Sequence, residues 1–313
     1  MTLPDKHPFC KPIKKCANHM VKKHQSPLYN IISILDANPK NIGTKATTMH
    51  NPEGPTKKPF KIRIPPDKES SKREAQVANE EIQVFTDRSI IDNKVGVVAI
   101  LTRPGKNHRI LHYYLGKASE YTIYDAELVG ISMAIHLIKT KAKACCHTII
   151  GADSQAAINA IQNELSTSSH YIANLSLCTA KQISNQRGNK KYSLTLRWIV
   201  GHMGVDRNEL VDREAKKAAK GQSSDPLSLP HHLRQKLKIS TTALKQNHNK
   251  QTAMKWRNNW ANSARGKQDH KIDDSSLSKQ FLKLISNPKL FRQAASIISQ
   301  MCITHIPLNR YLY

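Results

Sequence analysis

The chain has 313 residues, a hydrophobic share of 39% and a formal net charge of +26. That apolar share suffices for one good core, which excludes a wholly disordered chain, and no run approaches the ~18 apolar residues of a membrane span. The positive excess lies mostly in the flanks, with +9 over residues 1–75, +6 over 76–220 and +11 over 221–313, and it favours a polyanionic partner because each neutralised phosphate releases condensed counterions.

The amino terminus, MTLPDKHPFCKPIKKC, lacks the apolar stretch of a signal peptide, and the six cysteines contain no C-x-x-C pair. A soluble, intracellular protein is expected, nuclear or cytoplasmic, with no membrane partner and with neither a zinc site nor a disulfide framework. Residues 10–35 read as a basic helical segment and residues 36–75 as a Pro- and Lys-rich linker, the two making up a region 1–77.

From residue 78 the periodicities sharpen. EIQVFTD is a first strand closed by Asp87, and KVGVVAILT is a second after the turn residues Asp92 and Asn93. HRILHYYLG is a third strand, beyond Pro104 and Gly105. YDAELVGISMAIHLIKTK is a helix whose Ile131, Ala134 and Ile138 share a stripe with Glu127. HTIIGAD is a fourth strand, closed by Asp153. Two helices, SQAAINAIQ and YIANLSLCTAKQISNQ, lead to a fifth strand, YSLTLRWIV, and a closing helix, NELVDREAKKAAK. Short turns make the first three strands an antiparallel meander, and helical crossovers make the last two parallel. The expected fold is α/β: a mixed five-stranded sheet flanked by helices, over residues 78–220. GQSSDPLSLP then opens a basic, mostly helical extension, 221–313, in which only Trp256, Trp260 and the 280–300 region offer apolar surface.

Parallel pairing of the first and fourth strands would bring Asp87 and Asp153 to one sheet edge. Glu127 lies on an apolar stripe, where a charge is costly unless it meets a cation or a polar site, and Asp212 shares a helix face with Asn208, Ala215 and Ala219. Two unit charges about 4 Å apart interact by ~4 kcal/mol at an effective dielectric near 20, so four gathered carboxylates need protons or cations, and hard divalent metals suit them. Each residue also has a structural reading. Asp87 can be a turn former, Asp153 a helix cap, Glu127 a first-turn residue favoured by the helix dipole, and Asp212 a solvated helix position.

The strings VFTDRS, YDAELVGISMAI, IGADSQAAINAI and LRWIVGHMGVDRNELVDREAKKAA resemble the type 1 ribonuclease H family over about residues 81–220. The resemblance implies a ribonuclease H-like fold and endonucleolytic hydrolysis of the RNA strand of an RNA–DNA hybrid. It also implies two Mg2+ ions, with Mn2+ a substitute, on the tetrad Asp87, Glu127, Asp153 and Asp212. His202 matches the mobile-loop histidine, and Ser89, Gln155 and Asn208 match substrate-contacting positions. The chain departs from the family at Arg88 and Arg207, where the family usually has glycine, so an arginine there would strain the turn or press a cation against the carboxylates.

HPFCKPIKKCANHMVKKHQSPL and ITHIPLNRYLY resemble the segments that flank this domain in non-LTR (LINE-like) retrotransposon polyproteins. A reverse transcriptase of the same element is then an expected partner, and the chain ends would be breaks in a longer polyprotein. Two rival readings stand beside the hybrid nuclease: a catalytically impaired nucleic-acid-binding remnant, which the arginines favour, and a transposase or integrase of the DDE type. The acidic order Asp, Glu, Asp, Asp speaks against the second.

Overall fold

The computed structural model describes residues 41–43, 59–77, 80–141, 147–162, 169–187, 193–200, 206–263 and 291–302. The chain divides into two compact units, Met1–Lys245 and Gln246–Tyr313.

Burial with a period of two builds the sheet of the first unit. In β3 (Lys94–Arg103) every residue from Val95 to Leu101 is buried, and parity divides them. Val95, Val97, Ala99 and Leu101 enter the larger core, whereas Val98 and Ile100 enter a second cluster with Val211 and Ala215. A strand apolar on both faces needs cover on both. The helix α2 (Ile123–Lys141) supplies it on one side and α5 (Asp206–Ala219) on the other. Gly96 admits α5, since a Cβ there would lie 1.9 Å from the Ala219 nitrogen.

β2 (Ile82–Ile91), β3 and β4 (Lys106–Lys117) form the expected antiparallel meander. Asp92 and Asn93, with φ of 49° and 60°, make the two-residue turn whose positive φ values match strand twist. β5 (His147–Ala152) pairs parallel with β2, and β6 (Ser193–Trp198) parallel with β5, after α3 (Gln155–Gln162) and α4 (His170–Arg187). Local chemistry starts the helices. Thr122 Oγ1 accepts from the Asp125 N–H at 3.2 Å while Asp125 Oδ2 accepts from the Thr122 N–H at 2.6 Å, a reciprocal cap at the head of α2.

The sheet has six strands rather than five. β1 (Lys61–Arg63), from the segment read as a linker, pairs parallel with β6, giving the order β1-β6-β5-β2-β3-β4. Three residues are too few to show a period, and the piece is held by Phe60 in the main core, by Ile62 and Ile64 packed against it, and by ion pairs. Arg63 grips Glu74 of α1 (Lys68–Val77) at 2.7 and 3.0 Å, and the buried Arg197 of β6 donates to Glu80 at 2.8 Å. The basic segment 10–35 lies outside the described residues.

The fold also continues past residue 220. Ser223 and Ser224 line the outer edge of β4, accepting from the Tyr114 and His112 N–H groups at 2.8 and 2.9 Å, and the Ser224 N–H donates to the His112 carbonyl. Leu229, Leu233 and Leu237 then enter the main core, so Trp256, Trp260 and residues 280–300 are not the extension's only apolar groups. The Tyr121 hydroxyl donates to the Leu237 carbonyl at 2.6 Å. Ile239 forms a parallel bridge with Ile42, which ties the two flanks to each other. The helix α6 (Thr241–Asn262) follows, and α7 (Arg292–Cys302) is described separately in the second unit. No described helix is long and apolar enough to cross a membrane.

Candidate active site

The strand carrying Asp87 does not end there. β2 runs on to Ile91 because its hairpin with β3 continues, with Asp87 opposite Val98. What ends is the pairing with β5, whose last partners are Phe85 and Gly151. Asp87 and Asp153 therefore each stand two residues beyond that last pair, on adjacent parallel strands, and their charges act on one another. Ser154, not Asp153, caps α3 by accepting from the Ala157 N–H at 3.2 Å, which leaves the Asp153 carboxylate free for other partners.

Alternation along β2 sorts the neighbours. Val84 lies in the core beneath α2 and Phe85 packs on the cluster under α5, so Arg88 shares the α2 side with Val84 and Asp87 the α5 side with Phe85. Asp87 accordingly feels the charge of Asp212 on α5. Arg88 meets Glu127 of α2, its Nε lying 2.7 Å from Glu127 Oε1, and its Nη1 lies 3.8 Å from Asp153 Oδ2. Gly130 lets α2 come this close, since a Cβ there would meet the Thr86 side chain at 3.2 Å.

The electrostatics follow from burial. Glu127 is only 3% exposed, and burial, followed by the charge of Asp153, pushes its carboxyl up to about 9 against the pull of Arg88. Burial also raises Asp87, partly offset by the Arg88 N–H, which donates to Asp87 Oδ1 at 2.8 Å. Asp212 is paired with Lys216, one turn along its own helix, at 2.5 Å.

The family model for RNase H matches residues 79–220, the stretch that builds this carboxylate cluster. Residues 79–220 have an RNase H-like fold. Solved structures similar to this chain include RNase H1 of the halophilic archaeon Halobacterium salinarum NRC-1, 13% identical over 45% of this chain and 98% of that one, with a TM-score of 0.33. LC11-RNase H1, from compost and solved with an RNA/DNA hybrid, is 14% identical over 44% and 96% at 0.35. The N-terminal RNase H domain of a Mycobacterium tuberculosis protein is 16% identical over 44% and 98% at 0.32. No curated protein was found similar to the chain.

Within residues 79–220, Asp87, Glu127 and Asp153 come together, with Asp212 in electrostatic reach of Asp87. Ser89 lies further along β2, opposite Gly96, and Gln155 is exposed at the first turn of α3. Asn208 and Arg207 lie in the first turn of α5 with side chains outside the described set, and His202 lies outside the described residues. Two positioning residues escaped the sequence reading. Trp198 donates its indole N–H to the Asp153 carbonyl at 3.0 Å and holds that turn, and Lys216 fixes Asp212. The signal for Trp198 was its register, opposite Ala152 across the β5–β6 pair.

The donor set is all oxygen, as a hard divalent cation requires, and Asp153 Oδ1 is buried without a hydrogen-bond partner while Glu127 Oε1 meets the Arg88 guanidinium. As arranged, however, no three acidic or histidine side chains among the described residues close into a metal-holding group. The cation at this point is the Arg88 guanidinium.

Proposed function

We propose that residues 79–220 form an RNase H domain that hydrolyses the RNA strand of RNA–DNA hybrids and that Arg88 holds this activity down. The observation that carries the reading is the placement of Asp87 and Asp153 two residues past the last β2–β5 pair, beside the buried Glu127. Two divalent ions, Mg2+ or Mn2+, held by Asp87, Glu127, Asp153 and Asp212, would supply Lewis-acid polarisation of the phosphate and an acidified water. The chain's own contribution is to gather the carboxylates on rigid elements, with Trp198 fixing the Asp153 turn and Lys216 presenting Asp212. For that set to open, Arg88 must swing away from Glu127, and Glu127 must release its proton. His202 would handle protons at the site's edge, since imidazole titrates near neutrality. Ser89, Gln155 and Asn208 would contact the backbone of the hybrid, whose shape and 2′-hydroxyls are what such a site reads. The flanking strings support placement in a retroelement-derived chain that works beside a reverse transcriptase.

A second reading is favoured by a specific contact: Arg88 lies against Glu127 and near Asp153, so the cluster already holds a cation, as suits a binding remnant. One experiment separates the two. Labelled RNA–DNA hybrid, RNA duplex and DNA duplex are incubated in Mg2+ or Mn2+ with the parent chain, Asp87→Asn, and Arg88→Gly alone and combined with Arg207→Gly. Hybrid-specific cleavage that rises in the glycine variants and vanishes in Asp87→Asn is expected. Melting the same proteins with and without Mn2+ gives a readout independent of turnover, and the Arg88→Gly protein should gain more from the ion, since a ligand stabilises by about 2.7 kcal/mol at 100 times its dissociation constant. Failure of every variant to cleave, with hybrid still bound, leaves the remnant reading standing.

A further inference from the structure

The helix α6 (Thr241–Asn262) has a composition that its burial does not explain. Ala243 and Leu244 are its buried residues, and from Asn249 onward nearly every position is exposed or half-exposed. Its charges are of one sign: Lys245, Lys250, Lys255 and Arg257, with no Asp or Glu in the helix. On this cationic rod Trp256 and Trp260, one turn apart, stack with ring centroids 5.7 Å apart and planes 16° from parallel. Trp256 is 48% exposed.

A protein partner would read an apolar stripe at helical spacing. The face carrying the tryptophans continues instead through Asn249, Thr252, Ala253, Asn259 and Ser263, with no aliphatic branched residue on it. Met254, the other large exposed apolar group of α6, lies about 200° around the helix from Trp256. Stacked indoles flanked by Lys255 and Arg257 instead match what unpaired nucleobases need: a flat aromatic surface to continue the stack, with cations beside it for the phosphates. Paired bases inside a duplex present only their edges, so a duplex can meet such a surface with its end pairs alone unless it opens.

We infer that Trp256 and Trp260 form a stacking platform for single-stranded nucleic acid, separate from the carboxylate cluster and independent of its activity. Lys250, Lys255 and Arg257 steer the strand by its phosphates, while the indole faces hold its bases whatever their sequence.

The test uses the full chain and oligo(dT) and oligo(U) as probes, with a blunt RNA–DNA hybrid as the double-stranded control, read by tryptophan fluorescence and by anisotropy of labelled oligonucleotide. The double change Trp256→Ala and Trp260→Ala should weaken single-strand binding on the order of ten- to a hundred-fold while leaving its salt slope unchanged, because stacking is lost and phosphate contacts are kept. Trp256→Phe with Trp260→Phe should keep most of the affinity. Lys250→Ala with Lys255→Ala should flatten the salt slope. Circular dichroism and melting, unchanged for these surface positions, show that each protein is folded. Three results would overturn the platform: undiminished single-strand affinity in the double alanine protein, an equal loss on blunt hybrid, which would mean a duplex grip, or indole emission that does not respond to oligonucleotide, which would mean that the chain itself covers the rings.

Discussion

Asp87 and Arg88 are neighbours in sequence that serve opposite sides of one strand. Position 88 faces α2, so a side chain there points at Glu127, and this one delivers a guanidinium to it. Glycine would leave that space to a cation from solution. The protonation of Glu127 has a measurable consequence. Its carboxyl ionises at 4.5 in the unfolded reference and near 9 in the fold, so between these values the folded chain holds a proton that the unfolded chain has lost. The stabilising effect is complete below the lower value and declines as pH rises toward the upper one. Denaturation midpoints taken in EDTA from about pH 5 to 9 should fall with pH in the parent and fall less steeply in Glu127→Gln. Parallel curves for the two proteins would show that Glu127 does not hold the proton.

At the scale of elements, the strands and helices that form the meander and the crossovers were legible, because each carries its own period and its own stop. Asp92 and Asn93 announce the first turn, whereas the cap of α3 is Ser154 and not Asp153. The convergence of Asp87 with Asp153 could be read as well, since parallel register follows from a helical crossover. Two pieces could not. β1 is three residues, too short to show a period, and its ties through Arg63, Arg197 and their glutamates look like solvated charges in a sequence. The cover after residue 220 places Leu229, Leu233 and Leu237 around short 3-10 turns, with no periodicity to announce burial. This cover is integral to the core. Leu233, 2% exposed, should cost about 2–5 kcal/mol when changed to alanine, measured by urea denaturation, as for other buried leucines. A loss under ~1 kcal/mol would mean that residues 221–240 merely rest on the domain. His232 adds a polar anchor there, 3.1 Å from the Ser132 hydroxyl, and burial, then the charge of His136, pushes the imidazole down to about 4, so it is neutral in the fold.

For the whole molecule, charge is distributed by segment. Residues 1–40 and 246–313 carry +5 and +8 of the +26, leaving the remainder on a unit that must also house four clustered acids. Trimming the chain to residues 41–245 should therefore weaken hybrid binding and flatten the slope of log K against log salt, because fewer phosphates are neutralised, while cleavage at saturating hybrid changes little. An unchanged slope would move the grip onto the domain surface itself. The Ile42–Ile239 bridge keeps the trimmed unit closed, with the Gly43 N–H donating to the Ile239 carbonyl at 2.8 Å and the Ile239 N–H to the Asn41 carbonyl at 2.7 Å. Tension along the polypeptide loads this bridge together with the bond from the Ser240 N–H to the Glu120 carbonyl at 3.0 Å. Because the two segments run in the same direction, pulling residues before 41 away from residues after 239 slides one past the other. Both hydrogen bonds are then loaded together in shear rather than opened one at a time. The pair acts as a clasp, which resists sliding of one flank past the other until both bonds break at once.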